Sequence, residues 1–339
     1  MEHRHVGHSG LKLSALTFGN WLTQGVDSDR RAAERCIKTA LDLGITSFDT
    51  ADVYAHGAAE ECLGAALKGV RRESVVVMTK VFWPSVPAPR GPNEVGLSRK
   101  RIMEAIDASL RRLGMDHVDV YQAHRYDLFT PLEETMQAFA DVVRSGKAHY
   151  IGVSEWTAEQ IRAGHKFAQQ MGVPFISNQP QYSALYRTIE AEVIPTCVEL
   201  GMAQVVWSPM AQGVLSGKYL PGTPPPQGSR ALDTASGGAD MIARWLNDDV
   251  LEAVQKLRPL ADDLGITLSQ MALAWVLKNP NVATALIGAT RPEQIIENVK
   301  AAGFELPQAV VDQVDAILKE VAITDPALVA KSTPSARPA

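Results

Sequence analysis

Eight short apolar runs, each followed by residues at helical spacing, constrain this chain more than any other feature. They occupy residues 15–18, 45–48, 75–81, 118–124, 148–153, 174–178, 203–207 and 283–287. Runs this short and this continuously apolar are what a strand buried on both faces requires. Helical stretches separate them. One runs over 27–44 and another over 58–68; a third is capped by Ser98 and stopped by Gly114. A fourth runs from Pro131 to just before Gly146, and others over 157–171 and 189–200. Proline at a helix start and glycine just past its end are the positions each tolerates best. Eight strands alternating with helices predict an α/β protein, a closed (β/α)8 barrel, because a doubly wound sheet usually needs fewer strands. A chain of 339 residues is large for one domain in general but ordinary for one such barrel.

Several additions surround that frame. A β-hairpin with Ser9 and Gly10 in its turn precedes the first barrel strand, and an extra helix over 306–320 follows the last barrel helix. A single domain therefore spans 1–323. Residues 324–339 are rich in proline, serine and alanine and read as a mobile tail. Two connections are long, 82–97 and about 208–247, and both follow strands, which puts them on the face where barrel chemistry sits. The second, after strand seven, holds Pro221, Pro224, Pro225, Pro226, Gly228, Gly237 and Gly238 and reads as a lid.

The hydrophobic fraction of 46% and charged fraction of 21% are those of a globular protein. A net charge of -5 offers nucleic acid or an anionic membrane no basic face. The first ten residues lack the apolar core of a signal peptide, and no run is long enough to span a bilayer, so a cytoplasmic location is expected. Cys36, Cys62 and Cys197 form no CxxC pair and have no metal-like spacing with histidine, and they read as reduced packing residues. His3, His5 and His8 alternate but have no acidic or thiol partner; a surface hairpin explains them, and no metal is expected. The oligomeric state is open, a homo-oligomer included.

Three consecutive strands carry titratable groups at or just beyond their C-terminal ends: Asp49 and Tyr54 from the second, Lys80 from the third, His124 from the fourth. Lys80 follows Val75, Val76, Val77 and Met78, so its ammonium is partly desolvated and needs an anion, which Asp49 can supply. A cation held near Tyr54 favours phenolate and lowers the phenol pKa, making Tyr54 a candidate general acid. His124 beside it can donate a hydrogen bond to the same substrate oxygen as negative charge builds there. The set suits hydride addition to a carbonyl. Singly, Asp49 and Lys80 would be a structural ion pair and Tyr54 a loop aromatic.

These residues lie in motifs that resemble an aldo-keto reductase, nearest the branch of potassium-channel beta subunits and their bacterial relatives. The motifs are Phe48-Asp49-Thr50-Ala51-Asp52-Val53-Tyr54, the Lys80 strand, Val118 to His124, Gly152-Val153-Ser154, Asn178-Gln179, Trp207-Ser208-Pro209 and Gly288 to Asn298. The resemblance implies a nicotinamide cofactor bound without a Rossmann fold, and the chain contains no GxGxxG. It makes Asp49, Tyr54, Lys80 and His124 the catalytic tetrad. It assigns Ser154, Asn178 and Gln179 to the carboxamide and Trp207 to the nicotinamide face, roles that suit an amide and a flat ring.

The resemblance also places the pyrophosphate under the lid, against Ser208, Leu215, Gly217, Lys218 and Arg230. Gly288, Thr290, Arg291, Gln294, Glu297 and Asn298 open the last barrel helix, where free N–H groups meet an anion and Arg291 meets a 2′-phosphate. NADPH/NADP+ is thus the implied cofactor. Two positions depart from the channel subunits: they typically carry asparagine at the place of His124 and arginine at the place of Glu155.

The expected partner is a small carbonyl substrate. Trp21, Trp83, Tyr126 and Trp156 follow strands one, three, four and five and are candidates for its apolar pocket. Two rivals compete. One is a catalytically weak, beta-subunit-like regulatory protein that binds the cofactor; the other is a lyase using Lys80 as a Schiff-base nucleophile, which a lysine paired with Asp49 and held protonated disfavours.

Overall fold

A computed structural model describes residues 1–21, 27–87, 91–234 and 237–336. An N-terminal hairpin pairs β1 (His3–His5) with β2 (Lys12–Ser14), antiparallel. Eight parallel strands then close on themselves: β3 (Leu16–Gly19), β4 (Ser47–Asp49), β5 (Val76–Val81), β6 (Val118–Ala123), β7 (Ala148–Val153), β8 (Phe175–Asn178), β9 (Ala203–Val206) and β10 (Val282–Ile287). They stand in sequence order, and β10 pairs with both β9 and β3 to seal the ring. The helices between them are α1 (Asp27–Asp42), α2 (Ala58–Ala66), α3 (Arg99–Leu113), α4 (Leu132–Arg144), α5 (Ala158–Met171) and α6 (Val193–Glu199). The fold is thus the (β/α)8 barrel that the alternation predicts.

Helix boundaries follow local chemistry. The Ser98 hydroxyl accepts the Arg101 N–H at the start of α3, and Gly114 ends it in the left-handed region at φ 64°. Thr157 opens α5 with a capping box closed by Gln160. Side-chain alternation sorts the strands into two cores. One side packs outward on the helices. The other fills the barrel with Val6, Leu13, Met78, Val120, Ile176, Ala203, Val205 and Ala283, so the hairpin plugs the N-terminal end. Asp49 registers with Met78, Met78 with Val120, and Lys80 with Gln122. Asp49, Lys80 and Gln122 therefore share the inner side with that apolar plug and form the polar layer above it.

The connection from 208 to 247 is more structured than a bare lid. It contains 3-10 turns at Ala211–Ser216 and Arg230–Leu232 and a short helix, α7 (Gly238–Ala243). Val214, Leu215, Tyr219, Ile242 and Trp245 are buried beneath it and anchor its described parts despite its prolines. It leads to α8 (Asp248–Lys256), α9 (Arg258–Asp263) and α10 (Leu268–Leu277); after β10 come α11 (Pro292–Asn298), α12 (Gln308–Leu318) and α13 (Ala327–Ala330).

That last helix corrects the expectation of a mobile tail. Val329 is buried in the main core, and the Ser332 hydroxyl donates to Glu155 at 3.0 Å. Composition missed it because one apolar residue seated in a preformed groove is enough to dock a short segment. Among the described residues, no single helix is long and apolar enough to cross a membrane.

Candidate active site

Asp49 ends β4, Lys80 lies inside β5, His124 follows β6, and Tyr54 stands in a 3-10 turn, Tyr54–Gly57, beyond β4. The barrel brings all four together. The Lys80 Nζ donates to Asp49 Oδ2 at 2.5 Å, to the Thr50 carbonyl at 2.8 Å and to the Tyr54 hydroxyl at 3.3 Å. Tyr54 and His124 meet edge to face with ring centroids 5.7 Å apart. Asp49 and Lys80 are wholly buried, His124 nearly so, and the Tyr54 ring is half-buried.

The electrostatics follow from that packing. Burial depresses the Lys80 ammonium, but Asp49 and Tyr54 together more than reverse this, and its pKa ends above the ordinary 10.5. For Tyr54, burial of the hydroxyl raises the pKa above 10 and outweighs the lowering by Lys80, so the expected net decrease does not occur. The phenol is therefore protonated at neutral pH. Burial, with Arg125 and Lys80 nearby, holds His124 well below 6.5, so its imidazole is neutral; its Nδ1 has no hydrogen-bond partner among the described residues.

Two glutamines from the motifs complete the layer, Gln122, which had no assigned role, and Gln179, which the resemblance assigned to the carboxamide. Gln122 donates to Asp49 Oδ1 at 3.3 Å, and Gln179 donates to the same oxygen at 2.9 Å. The parity of Gln122 with His124 along the strand was the available signal. Behind the Tyr54 loop, Arg101 donates to Asp52 Oδ2 at 2.5 Å and to the Trp83 carbonyl at 2.9 Å. Burial, against the pull of Arg101, pushes Asp52 up to about 7. Among the described residues, the non-glycine ones at positive φ are Ala55, His56, Glu155, Ser208, Ala211 and Gln212. All six follow β4, β7 or β9, at the strand ends where the titratable groups gather. Each costs about 1–3 kcal/mol, and strain of this kind concentrates where a site needs it.

The residues assigned to a cofactor form two groups. Near the tetrad, the Ser154 hydroxyl donates to the Gln179 carbonyl at 2.7 Å, and Asn178 Nδ2 donates to Gln204 at 3.2 Å. Asn178 Oδ1 is buried without a partner among the described residues, as an acceptor awaiting an amide N–H would be. The Trp207 indole donates to Glu155 Oε1 at 2.8 Å, and the same oxygen accepts the Gln181 N–H at 2.6 Å. Glu155 thus fixes the orientation of Trp207. Further out, Lys218 lies close enough to Arg230 and Arg291 that both, after burial, depress its ammonium. Such a cluster of cations fits an anion.

Other candidates are placed differently from expectation. The Leu215 side chain is buried in the core, which leaves only its backbone to face a ligand. Ser208 Oγ accepts the Gln212 N–H, and Gly217 adopts φ 73° against Leu268. At the start of α11, Gln294 Oε1 accepts the N–H of both Thr290 and Arg291, so those two groups are capped rather than free for an anion. Gly288 and Thr290 are exposed, Glu297 is half-buried and Asn298 is buried.

Of the four proposed pocket aromatics, Trp156 is wholly buried between Tyr126 and Phe175 and cannot wall a pocket; its bulk fills space that Gly164 leaves open. Tyr126 backs onto it and is half-buried. Trp21 and Trp83 are half-buried, with Arg230 over one ring and Arg125 over the other.

Fold and site together define an α/β-barrel protein with a linked lysine, carboxylate, phenol and imidazole at the C-terminal ends of its strands. The chain belongs to the aldo/keto reductase family, whose profile matches residues 15–319. It is 43% identical over 325 residues to a "Probable voltage-gated potassium channel subunit beta" of Arabidopsis thaliana, covering 94% of this chain and 97% of that protein. The protein of the same name from Oryza sativa subsp. japonica is 42% identical over the same shares. A "Putative voltage-gated potassium channel subunit beta" of Schizosaccharomyces pombe is 42% identical over 93% of this chain and 92% of its own.

Proposed function

We propose that the protein is an NADPH-dependent reductase of aldehydes or ketones, with Tyr54 as the general acid. The observation that carries this reading is the Lys80 ammonium, held by Asp49 at 2.5 Å and set 3.3 Å from the Tyr54 hydroxyl. When bound, the nicotinamide supplies hydride to the carbonyl carbon. Tyr54 donates its proton to the carbonyl oxygen, and Lys80 stabilises the phenolate left behind. Asp49 keeps Lys80 charged and in place. His124, being neutral, offers a ring N–H to the same oxygen without competing as an acid.

On this reading Asn178, Gln179 and Ser154 hold the carboxamide, and Trp207, oriented by Glu155, covers the nicotinamide ring. Lys218 and Arg230 meet the pyrophosphate, and Arg291 meets a 2′-phosphate. Because every described residue of this set surrounds one end of the barrel, the carbonyl substrate enters from that end past Trp21 and Trp83.

A second reading, a catalytically weak cofactor-binding regulatory subunit, draws on the names of the plant and yeast relatives. The two separate in one assay, a panel of aldehydes and ketones followed by NADPH absorbance. Reduction by the wild type, with a loss of about 10²- to 10⁴-fold in Tyr54→Phe and cofactor binding retained, supports the reductase. Tight NADPH binding without turnover of any carbonyl supports the subunit.

A further inference from the structure

At the end of the barrel opposite the tetrad, His117, Asp119 and His149 converge, and every pair of their candidate donor atoms lies within 4.8 Å. His117 and Asp119 are two residues apart at the start of β6, so they emerge on one face. His149, second in β7, stands beside Asp119 because Val118 registers with Ala148 and Val120 with Tyr150. The two imidazoles stack with centroids 4.4 Å apart. His149 Nδ1 is 3.8 Å from Asp119 Oδ1.

The carboxylate is prepared for a ligand by its surroundings. Its other oxygen, Oδ2, accepts the Arg72 guanidinium at 2.7 Å and the Val77 N–H at 2.8 Å. Arg72 also donates to the His117 carbonyl at 3.1 Å. These bonds fix Asp119 with Oδ1 turned toward the histidines, as outer-shell partners orient a metal ligand.

We propose that His117, Asp119 and His149 form a binding site for a borderline divalent transition ion such as Zn2+, with solvent in the fourth position. Two imidazole nitrogens and one carboxylate oxygen are the donors that such an ion prefers, whereas Ca2+ and Mg2+ want oxygen alone. Ligands about 2.1 Å from a tetrahedral zinc stand roughly 3.4 Å apart, so the cluster closes on the ion by a small rotation of the half-exposed His149. Arg72 opposes the incoming charge, and Asp116 next to His117 offsets it. Because the face is the one where barrels are stabilised rather than the one where they catalyse, the ion staples β6 to β7.

The test uses the untagged full chain, stripped with chelator and titrated with Zn2+ by calorimetry and with Co2+ by visible absorbance. The expected result is one equivalent bound, a tetrahedral Co2+ spectrum and a Zn2+-dependent rise in Tm, all kept when His3, His5 and His8 are replaced by alanine. His149→Ala, an exposed position that does not threaten folding, should weaken binding by more than about tenfold and abolish the rise in Tm. His117→Ala should do the same, and carbonyl reduction should be unchanged in both. Absence of binding, unchanged affinity in His149→Ala, or binding that disappears with the N-terminal histidines would overturn the proposal.

Discussion

Lys80 is the residue on which the chemistry turns, because its ammonium is wholly buried and, among the described residues, its ion-pair partner is Asp49. Lys80→Met should slow carbonyl reduction and move the alkaline limb of the pH profile upward, since the cation that lowers the Tyr54 pKa is gone. Initial rates across pH measure both effects. The substitution strands a buried carboxylate, a change that typically costs about 3–5 kcal/mol, so Asp49→Asn/Lys80→Met serves as the folding control. An unchanged profile would reduce the pair to a structural role. His124 gives a second residue-level expectation. Its folded pKa lies well below 6.5, so the unfolded chain binds the proton first as pH falls. The stability it contributes is complete above the unfolded value and is lost as pH drops toward the folded one. Denaturant melts should therefore show the wild type losing stability below pH about 6.5 faster than His124→Asn, by up to about 1.4 kcal/mol per pH unit.

Among the elements, the loop from β4 to α2 carries Tyr54, and its position depends on a helix that follows the next strand, β5. Arg101, in the first turn of α3, reaches back to Asp52 and to the Trp83 carbonyl. Arg101→Met leaves Asp52 buried and unpaired and should cost about 3–5 kcal/mol in urea unfolding. Asp52→Asn/Arg101→Met should recover much of that loss, because the uncompensated charge is removed with its partner. If Arg101→Met proved neutral, the ion pair would not be what anchors the loop. The element boundaries themselves were largely readable. Ser98, Gly114, Thr157 and Gly146 marked real helix ends because capping is local chemistry. The start of the helix before β9 was not readable: a helix over 189–200 was expected, but α6 begins only at Val193. Residues 188–192 instead form turns that follow a bridge between Tyr186 and Ile323, a contact more than a hundred residues distant.

For the molecule as a whole, the proposed cofactor path joins the loop after β9 to the helix after β10, which makes two of its cations, Arg291 and Lys218, separable by experiment. Arg291→Ala should weaken NADPH binding by roughly ten- to a hundredfold, the worth of a charge-assisted hydrogen bond, and leave NADH nearly unaffected. Lys218→Ala should weaken both alike. Quenching of tryptophan fluorescence measures all four affinities, and equal losses in the Arg291 variant would move the 2′-phosphate to Arg230. The C-terminal segment offers a global test. Deleting 324–339 uncovers the seat of Val329 and removes the Ser332 hydroxyl from Glu155, which in turn holds Trp207. The loss should be about 1.5–3 kcal/mol of stability by denaturant unfolding. Full stability in the truncated chain would show that the docked segment contributes nothing.

The sequence alone determined the barrel, because eight buried strands and their caps are written in short-range patterns, and it determined which strand ends carry Asp49, Tyr54, Lys80 and His124, because motif and strand end coincide. Tertiary structure decided what depends on neighbours distant along the chain. Burial, which no spacing reports, outweighed Lys80 and set the Tyr54 pKa high. It placed Trp156 in the core instead of a pocket wall, since an aromatic after a strand can turn either way. It docked a tail whose composition reads as disordered, through Val329 and a hydrogen bond to Glu155. Register did the rest: only the pairing of β6 with β7 sets His149 beside His117 and Asp119, residues separated by some thirty positions and silent as a motif.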